Sequence, residues 1–461
     1  MNGMALQLDT SIFKAYDIRG VYPESLNEEL AYKIAVFYAD ILKRENGDKK
    51  LEVVVGRDMR LSSVSIQKRV IGGLIDFGVD VVDVGLISTP SFYFAVGFYG
   101  YDGGIQVSAS HNPSEYNGLK MVRGRAVPMG GDSGIYEIRD RIASGEEIEK
   151  ADIKGEVIRK EGVVVDEVGQ QTKDIDVARI APFKIVVDTA NAMAVLDIEE
   201  VFKITKCDVI YINKELDGTF PNHPADPLKE ENLEMIKKKV LDESADLGIA
   251  TDGDGDRYFF VNEKGEVMPQ PILRGLMAQI ELSKSPGATV CYDIRPGRIT
   301  RDMIEEAGGK GVVTKVGHSL IKEKMLEVNA VFGGESSGHY FYKFDYGTFE
   351  APIVLTLKLL EYLSRYELKL SQVVAKHNKY FHSGEINSEV EDKEGKMREL
   401  ADKYSDGEVS WLDGVTVEYP DFWFNVRASN TEPLLRLNLE AKTKKLMEQK
   451  RDEVLEVIRA K

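Results

Sequence analysis

The sequence predicts an α/β protein: three similar mixed α/β domains followed by a C-terminal α+β domain. Three observations predict it. An apolar strand running into a polar loop recurs in sets of three, and three such sets follow one another. Amphipathic helical stretches separate the strands, as at 63–77, 231–241 and 319–328, and strands alternating with helices make a sheet layered with helices. The end of the chain changes character. Strand-like runs at 415–419, 423–426 and 434–439 precede a charged amphipathic helix at 446–458.

In the first set the strands fall at 51–55, 79–84 and 104–107, and their loops at 56–58, at 85–90 and around Ser110. The second set has strands at 184–187, 208–212 and 246–250, with loops at 188–191, at 213–218 and around Asp252. The third has strands at 288–291, 311–314 and 330–332, with loops at 292–298, at 315–319 and around Glu335. Loops at the carboxyl ends of such strands are where ligands bind. Charged stretches at 145–156 and 366–371 are expected as a domain boundary and a linker. The expected domains are 1–157, 158–266, 267–375 and 376–461.

A chain of 461 residues is too long for one core. Its 60 Lys and Arg against 77 Asp and Glu give a net charge of −17. That balance argues against a nucleic-acid or membrane surface. An anionic substrate would need basic residues gathered locally. Cys207 and Cys291 stand in apolar, strand-like runs, so both are expected as buried thiols in a reducing compartment. The first ten residues lack a basic stretch followed by an apolar one, and no apolar run is long enough to span a bilayer. The chain reads as cytoplasmic.

Four motifs carry chemistry. Val107-Ser108-Ala109-Ser110-His111-Asn112-Pro113 presents a serine on a turn, because Pro113 biases Asn112 away from helix. A helix-entry or Asx-type turn is the bland alternative. Asp252-Gly253-Asp254-Gly255-Asp256-Arg257 places three carboxylates at alternate positions. An EF-hand loop would also start this way, and Glu263 stands at its twelfth position. However, Arg257 replaces the glycine required at the sixth, and a strand precedes the loop. Oxygen ligands favour Mg²⁺ or Ca²⁺ over zinc, and Arg257 could stabilise a transferring phosphoryl group. Glu335, Ser337 and His339 lie in a Gly-flanked loop that offers an acceptor and a donor for vicinal hydroxyls. Arg427, Ser429, Asn430 and Thr431 form a donor-rich bend suited to a phosphate.

In this order the four motifs resemble the α-D-phosphohexomutase family, most closely its phosphomannomutase/phosphoglucomutase branch. The resemblance covers essentially the whole chain. It implies that the three α/β domains and a C-terminal domain like the TATA-box-binding protein surround a central cleft. It implies that Ser110 carries the phosphoryl group and helps to hold Mg²⁺ with Asp252, Asp254 and Asp256. Lys120, within Tyr116-Asn117-Gly118-Leu119-Lys120, becomes a proton shuttle or charge partner. His111, Arg257 and Arg19 join the catalytic candidates. Glu335, Ser337 and His339 are implied to bind the sugar, with Gly317 and His318 of Gly317-His318-Ser319-Leu320-Ile321-Lys322 telling its two orientations apart. Tyr16, from Phe13-Lys14-Ala15-Tyr16-Asp17-Ile18-Arg19-Gly20, and Arg295 join the phosphate-binding set. The chain departs from the family pattern at Ser108, more often threonine, which makes a rival nucleophile. Arg295 stands where the branch often has lysine, and Ala192-Met193-Ala194 where many members have glycine.

The implied reaction moves a phosphoryl group between the 1- and 6-positions of a hexose phosphate. Its partners are hexose 1-phosphate, hexose 6-phosphate and hexose 1,6-bisphosphate, acting on a monomer or homodimer. Phosphoglucosamine mutase and a metal-dependent sugar-phosphate phosphatase are the alternatives. The Arg427-Ala428-Ser429-Asn430-Thr431 string argues against the first, which more often has Arg-Pro-Ser-Gly-Thr.

Overall fold

The computed structural model describes residues 8–295, 297–428 and 434–460. The chain starts with a six-stranded sheet built from β1 (Ile18–Val21), β2 (Glu52–Arg57), β3 (Asp80–Leu86), β4 (Gly103–Val107), β5 (Tyr116–Arg123) and β6 (Val157–Arg159), in the order β1-β5-β4-β2-β3-β6. Helices α1 (Glu28–Asn46), α2 (Ser63–Asp76), α3 (Thr89–Phe98) and α4 (Tyr136–Ala143) accompany it. α1 shows why the sequence is helical here. Asn27 caps it by accepting from the Leu30 N–H at 3.0 Å. Its residues Leu30, Ile34, Tyr38, Ile41 and Leu42 fall on one face, which is buried in the first core.

The second sheet has the order β10-β9-β7-β8. Its elements run α5 (Val163–Gln171), β7 (Lys184–Asp188), α6 (Ala194–Phe202), β8 (Asp208–Ile212), α7 (Glu234–Asp242), β9 (Leu247–Thr251) and β10 (Tyr258–Asn262). The third repeat comprises α8 (Gln270–Lys284), β11 (Thr289–Asp293), α9 (Arg298–Glu306), β12 (Lys310–Thr314), α10 (His318–Glu327) and β13 (Phe332–Gly334), with β11 parallel to both β12 and β13. An antiparallel pair, β14 (Tyr340–Phe344) and β15 (Gly347–Glu350), then leads to α11 (Pro352–Tyr366) and α12 (Leu370–His377).

The C-terminal sheet is antiparallel. Its strands are β16 (Phe381–Glu389), β17 (Glu408–Ser410), β18 (Val415–Glu418), β19 (Phe422–Ala428) and β20 (Leu434–Ala441), in the order β16-β20-β19-β18-β17. Phe424, Val426, Leu435, Leu437 and Leu439 form a core with residues of α13 (Lys393–Lys403) and α14 (Lys444–Arg459). The chain divides into two compact units. One takes residues up to 268 together with 337–371, and the other takes 269–336 together with 372 to the end.

The sequence reading lacks the strand that follows each of the first three chemical loops, β5, β10 and β14. β4 and β5 pair antiparallel, and so do β9 and β10. The Ser110 and Asp252 loops are therefore connections between a strand and its returning neighbour. The Glu335 loop joins β13 to β14.

One expectation needs correction. Cys291 is buried, but Cys207 is only partly so. It precedes β8, an edge strand, and its thiol lies 3.7 Å from the Ala181 carbonyl. The stretch at 366–371 connects two helices, and the division between the compact units falls at its end. α11 closes at Tyr366 on a left-handed Glu367 (φ 51°), and α12 starts at Leu370. The stretch at 145–156 is fastened to the end of α2 by the Ala151 and Gly155 N–H groups, which donate to Asp76 and Ile75, before it runs into β6. No helix among the described residues is long and apolar enough to cross a membrane.

Candidate active site

Ser110 lies buried at the turn between β4 and β5, in the left-handed region at φ 50°. A residue with a Cβ is seldom found there unless its surroundings hold it. Its backbone N–H donates to Ser108 Oγ at 3.0 Å, so Ser108, the rival nucleophile, serves the turn. Ser110 Oγ donates to Asp252 Oδ2 at 2.8 Å and lies 3.2 Å from His111 Nδ1. Burial, with Arg257 and Arg19 nearby, drives the His111 pKa well below the usual histidine value. His111 is thus a neutral imidazole beside the hydroxyl.

The Asp252 loop is a tight connection. Asp252 Oδ1 accepts the N–H groups of Gly255, Asp256 and Arg257 at 3.1–3.2 Å. Gly253 lets the backbone pass the Ser110 loop, because a Cβ there would stand 2.3 Å from the Ser110 carbonyl. Asp252, Asp254 and Asp256 are all buried, with carboxylate oxygens within 4.8 Å of one another. Asp254 Oδ2 accepts from Thr89 Oγ1 at 2.6 Å. Lys120 Nζ lies 2.6 Å from Asp254 and 2.7 Å from Asp256. Asp254 Oδ1 and Asp256 Oδ1 are buried without a hydrogen-bond partner. Buried carboxylate oxygens left over in this way fit a hard divalent cation.

The charges follow from this packing. Burial, then Asp256 and Asp254, push Asp252 well above the usual carboxylate range. Burial also opposes ionisation of Asp256, yet the charges around it, Lys120 among them, bring it down to about 2. Lys120 stays an ammonium, since Asp254 and Asp256 outweigh the effect of its burial.

Arg257 turns toward a residue expected at the sugar. Its Nε donates to His339 Nε2 at 3.0 Å, and His339 Nδ1 faces Asp256 Oδ1 and Glu350 Oε1, each at 3.5 Å. His339 is held in the carboxylate corner, where residues 257–258 pair with 338–339. Ser337 is buried in the same unit. Arg19 donates from Nε and Nη2 to Asp17 and from Nη1 to Asn112 Oδ1 at 2.8 Å, so it grips the Ser110 loop. Tyr16 lies half-buried in the bend before it. Glu263 meets Ser371, away from the carboxylate cluster, which disposes of the EF-hand ligand set.

The second unit holds the other candidates. Glu335 Oε1 accepts the Gly317 N–H at 2.7 Å and lies 3.9 Å from Arg295 Nη2. Arg295 is anchored on Asp293, which also takes Arg274 and the N–H and hydroxyl of Ser336. His318 begins α10 immediately after Gly317. Arg427 Nη2 donates to Glu385 at 2.6 Å. Ser429, Asn430 and Thr431 lie outside the described residues.

Sequence reasoning missed Arg60, Thr89, Glu350 and Glu385. Arg60 is fully buried. Its guanidinium donates to the carbonyls of Ser110 (2.8 Å), Asn112 (2.5 Å), Pro113 (2.5 Å) and Tyr116 (3.0 Å), and pairs with Asp58 at 3.2 Å. Its one signal was its position just after the polar loop at 56–58, where an arginine reads as ordinary surface.

A buried serine hydroxyl on a carboxylate trio, with lysine and arginine charges around it, is the arrangement of a phosphoryl-transfer site. Comparison with known proteins agrees. Models of the phosphoglucomutase/phosphomannomutase family match in chain order: alpha/beta/alpha domain I over residues 10–149, domain II over 165–265, domain III over 272–380 and the C-terminal domain over 385–457. A phosphomannomutase of Vibrio cholerae is 37% identical, over 98% of this chain and 99% of that protein. A phosphomannomutase/phosphoglucomutase of Pseudomonas aeruginosa is 38% identical, over 96% of this chain and 94% of that protein. A crystal structure of a phosphoglucomutase/phosphomannomutase family protein from Burkholderia thailandensis superposes with a TM-score of 0.89 at 34% identity, covering 98% of each chain. The chain belongs to the phosphoglucomutase/phosphomannomutase family.

Proposed function

We propose that the protein is a phosphohexomutase that moves a phosphoryl group between the 1- and 6-positions of mannose and glucose phosphates, with Ser110 as the carrier. The observation that carries this is the Ser110 hydroxyl, buried 2.8 Å from Asp252 in a cluster of three carboxylates. Asp252, Asp254 and Asp256, with an oxygen of the phosphorylated Ser110, would hold Mg²⁺. Bound there, the ion would neutralise charge on the phosphoryl oxygens. The free hydroxyl of a hexose phosphate forms a new P–O bond as the P–Oγ bond of Ser110 breaks. The hydroxyl proton leaves to a neighbouring base, and the serine oxygen takes up a proton. The resulting 1,6-bisphosphate reverses the step with its other phosphate, which returns to Ser110.

The protein's own groups do most of this work by position and charge. His111 and Lys120 are the titratable groups beside the reacting oxygen and its carboxylates. Arg257 supplies positive charge. Arg427, Ser429, Asn430 and Thr431 would take the phosphate that is not reacting, with Tyr16 and Arg295 in support. Glu335 and Ser337 would meet the sugar hydroxyls, and the Gly317–His318 turn would sense its orientation.

The test is Ser110→Ala, assayed in a coupled reaction with mannose 1-phosphate and glucose 1-phosphate. Wild-type protein incubated with hexose 1,6-bisphosphate should gain one phosphate by intact mass, and the variant none. Turnover should fall by at least about a thousandfold, the scale of losing a nucleophile. Phosphate gained on Ser108, or inorganic phosphate as the main product, would defeat this reading.

A further inference from the structure

The C-terminal sheet carries an oddity on its polar face. Arg427 on β19 and Arg436 on β20 are direct cross-strand partners. Like charges set opposite each other in this way destabilise a sheet. What joins them is Glu385 on β16. Its Oε2 accepts from Arg427 Nη2 at 2.6 Å and from Asn438 Nδ2 at 3.3 Å, and its Oε1 accepts from Arg436 Nη1 at 3.3 Å. Asn438 is the cross-strand partner of Glu385 itself. The β16 register shifts between His382 and Glu385, with Gly384 at φ 70°. Bulges of this kind re-aim a side chain. Arg295 is close enough for its charge to act on the same carboxylate.

We propose that Glu385 is a positioning residue for the candidate phosphate cradle: it holds Arg427 by one Nη2 and so fixes the rest of the guanidinium for a substrate phosphate. The inference rests on the reading that Arg427 binds that phosphate. One feature favours a holding role over that of an internal competitor. Glu385 takes a single N–H of Arg427, while Arg427 Nε stays buried with no hydrogen-bond partner. A buried donor left over beside an anchored one marks where a ligand oxygen would complete the set.

The experiment measures KM and kcat for a hexose 1-phosphate, and competitive inhibition by inorganic phosphate, in Glu385→Gln, Glu385→Asp, Glu385→Ala and Arg427→Ala proteins, with melting temperatures alongside. Glu385→Ala should raise KM and the inhibition constant together by about tenfold or more, with kcat within about threefold, as expected when a ground-state contact is lost. Glu385→Asp should recover part of the affinity, and Glu385→Gln should fall between Asp and Ala. A lowered KM would identify Glu385 as a competitor and overturn the proposal. So would an unchanged KM in folded Glu385→Ala and Glu385→Gln proteins. If Arg427→Ala also left KM unchanged, the cradle reading itself would fail. If Arg427→Ala raised KM and the Glu385 variants did not, only the positioning role would fail.

Discussion

Arg60 does for the Ser110 loop what no other side chain type could do. Four carbonyls converge on one planar fork, and Asp58 balances its charge. Lysine keeps the charge but has three donors on one atom. Arg60→Lys should therefore keep the fold and lose kcat by at least about tenfold, as a loop that presents a nucleophile loosens. Steady-state kinetics beside a melting curve check this. An active, folded Arg60→Lys enzyme with unchanged kcat would mean that the loop holds Ser110 at φ 50° by itself. Of the residues around Ser110, those adjacent in sequence were legible and Arg60 was not. A chain position tells nothing about carbonyls fifty or more residues away.

At the scale of elements, α3 links the first sheet to the carboxylate loop. Thr89, in its first turn, donates to the Asp254 side chain and its N–H meets the Asp254 carbonyl. Two residues on, Ser91 Oγ lies in hydrogen-bond contact with Glu167 Oε2 of α5 and, at 2.9 Å, with Asp197 Oδ1 of α6. All three residues are buried. One hydroxyl has one proton, so it can donate to only one of these carboxyl groups. The other must carry a proton and donate to Ser91. Burial accordingly raises Asp197 to about 6, and it raises Glu167 well above its usual range with Asp197 adding to the effect.

The pH dependence follows from the sign of these shifts. An acid whose folded pKa lies above its unfolded value binds its proton more tightly when folded. The stabilisation is complete below about 4, the ordinary carboxylate range. It is lost as pH rises through about 6 for Asp197 and through the raised range of Glu167. Glu167→Gln keeps the hydrogen bonds and removes one ionisation. Its melting temperature should fall less steeply with rising pH than that of the wild type. Parallel curves for the two proteins would show that the pair shares no proton.

For the molecule as a whole, the net charge is −17, yet Arg60, Lys120 and Arg257 are buried around the Ser110 and Asp252 loops. Asp252, Asp254 and Asp256 are buried together beside the Ser110 loop, with oxygens of Asp254 and Asp256 left without a hydrogen-bond partner, so removing divalent ions with EDTA should abolish turnover, and Mg²⁺ should restore it. Full activity in chelated enzyme would remove the metal from the site. We propose that Glu335 and Ser337 meet the 3- and 4-hydroxyls of the sugar, as the family resemblance implies, and not the 2-hydroxyl, by which mannose and glucose differ. The enzyme should therefore accept both 1-phosphates within about a hundredfold in kcat/KM, the range set by about 1–3 kcal/mol of steric discrimination. A larger preference would reveal a contact to that hydroxyl.

The sequence by itself determined the repeated α/β plan, the C-terminal change of character and the loops that carry chemistry. Strand periodicity, turn residues and spaced carboxylates are local properties, written in consecutive residues. It also offered the serine and the three aspartates as candidates, because one short run holds each. Only the tertiary structure decided which distant groups meet them. It put His339 on Arg257 and Asp256, Arg60 under the Ser110 turn and Glu385 between two arginines. It also showed that the strand after each of the first two loops returns antiparallel. These facts depend on pairing and packing between segments far apart in the chain. Their energies come from burial and from charges brought within a few ångströms of one another, which no local pattern of residues records.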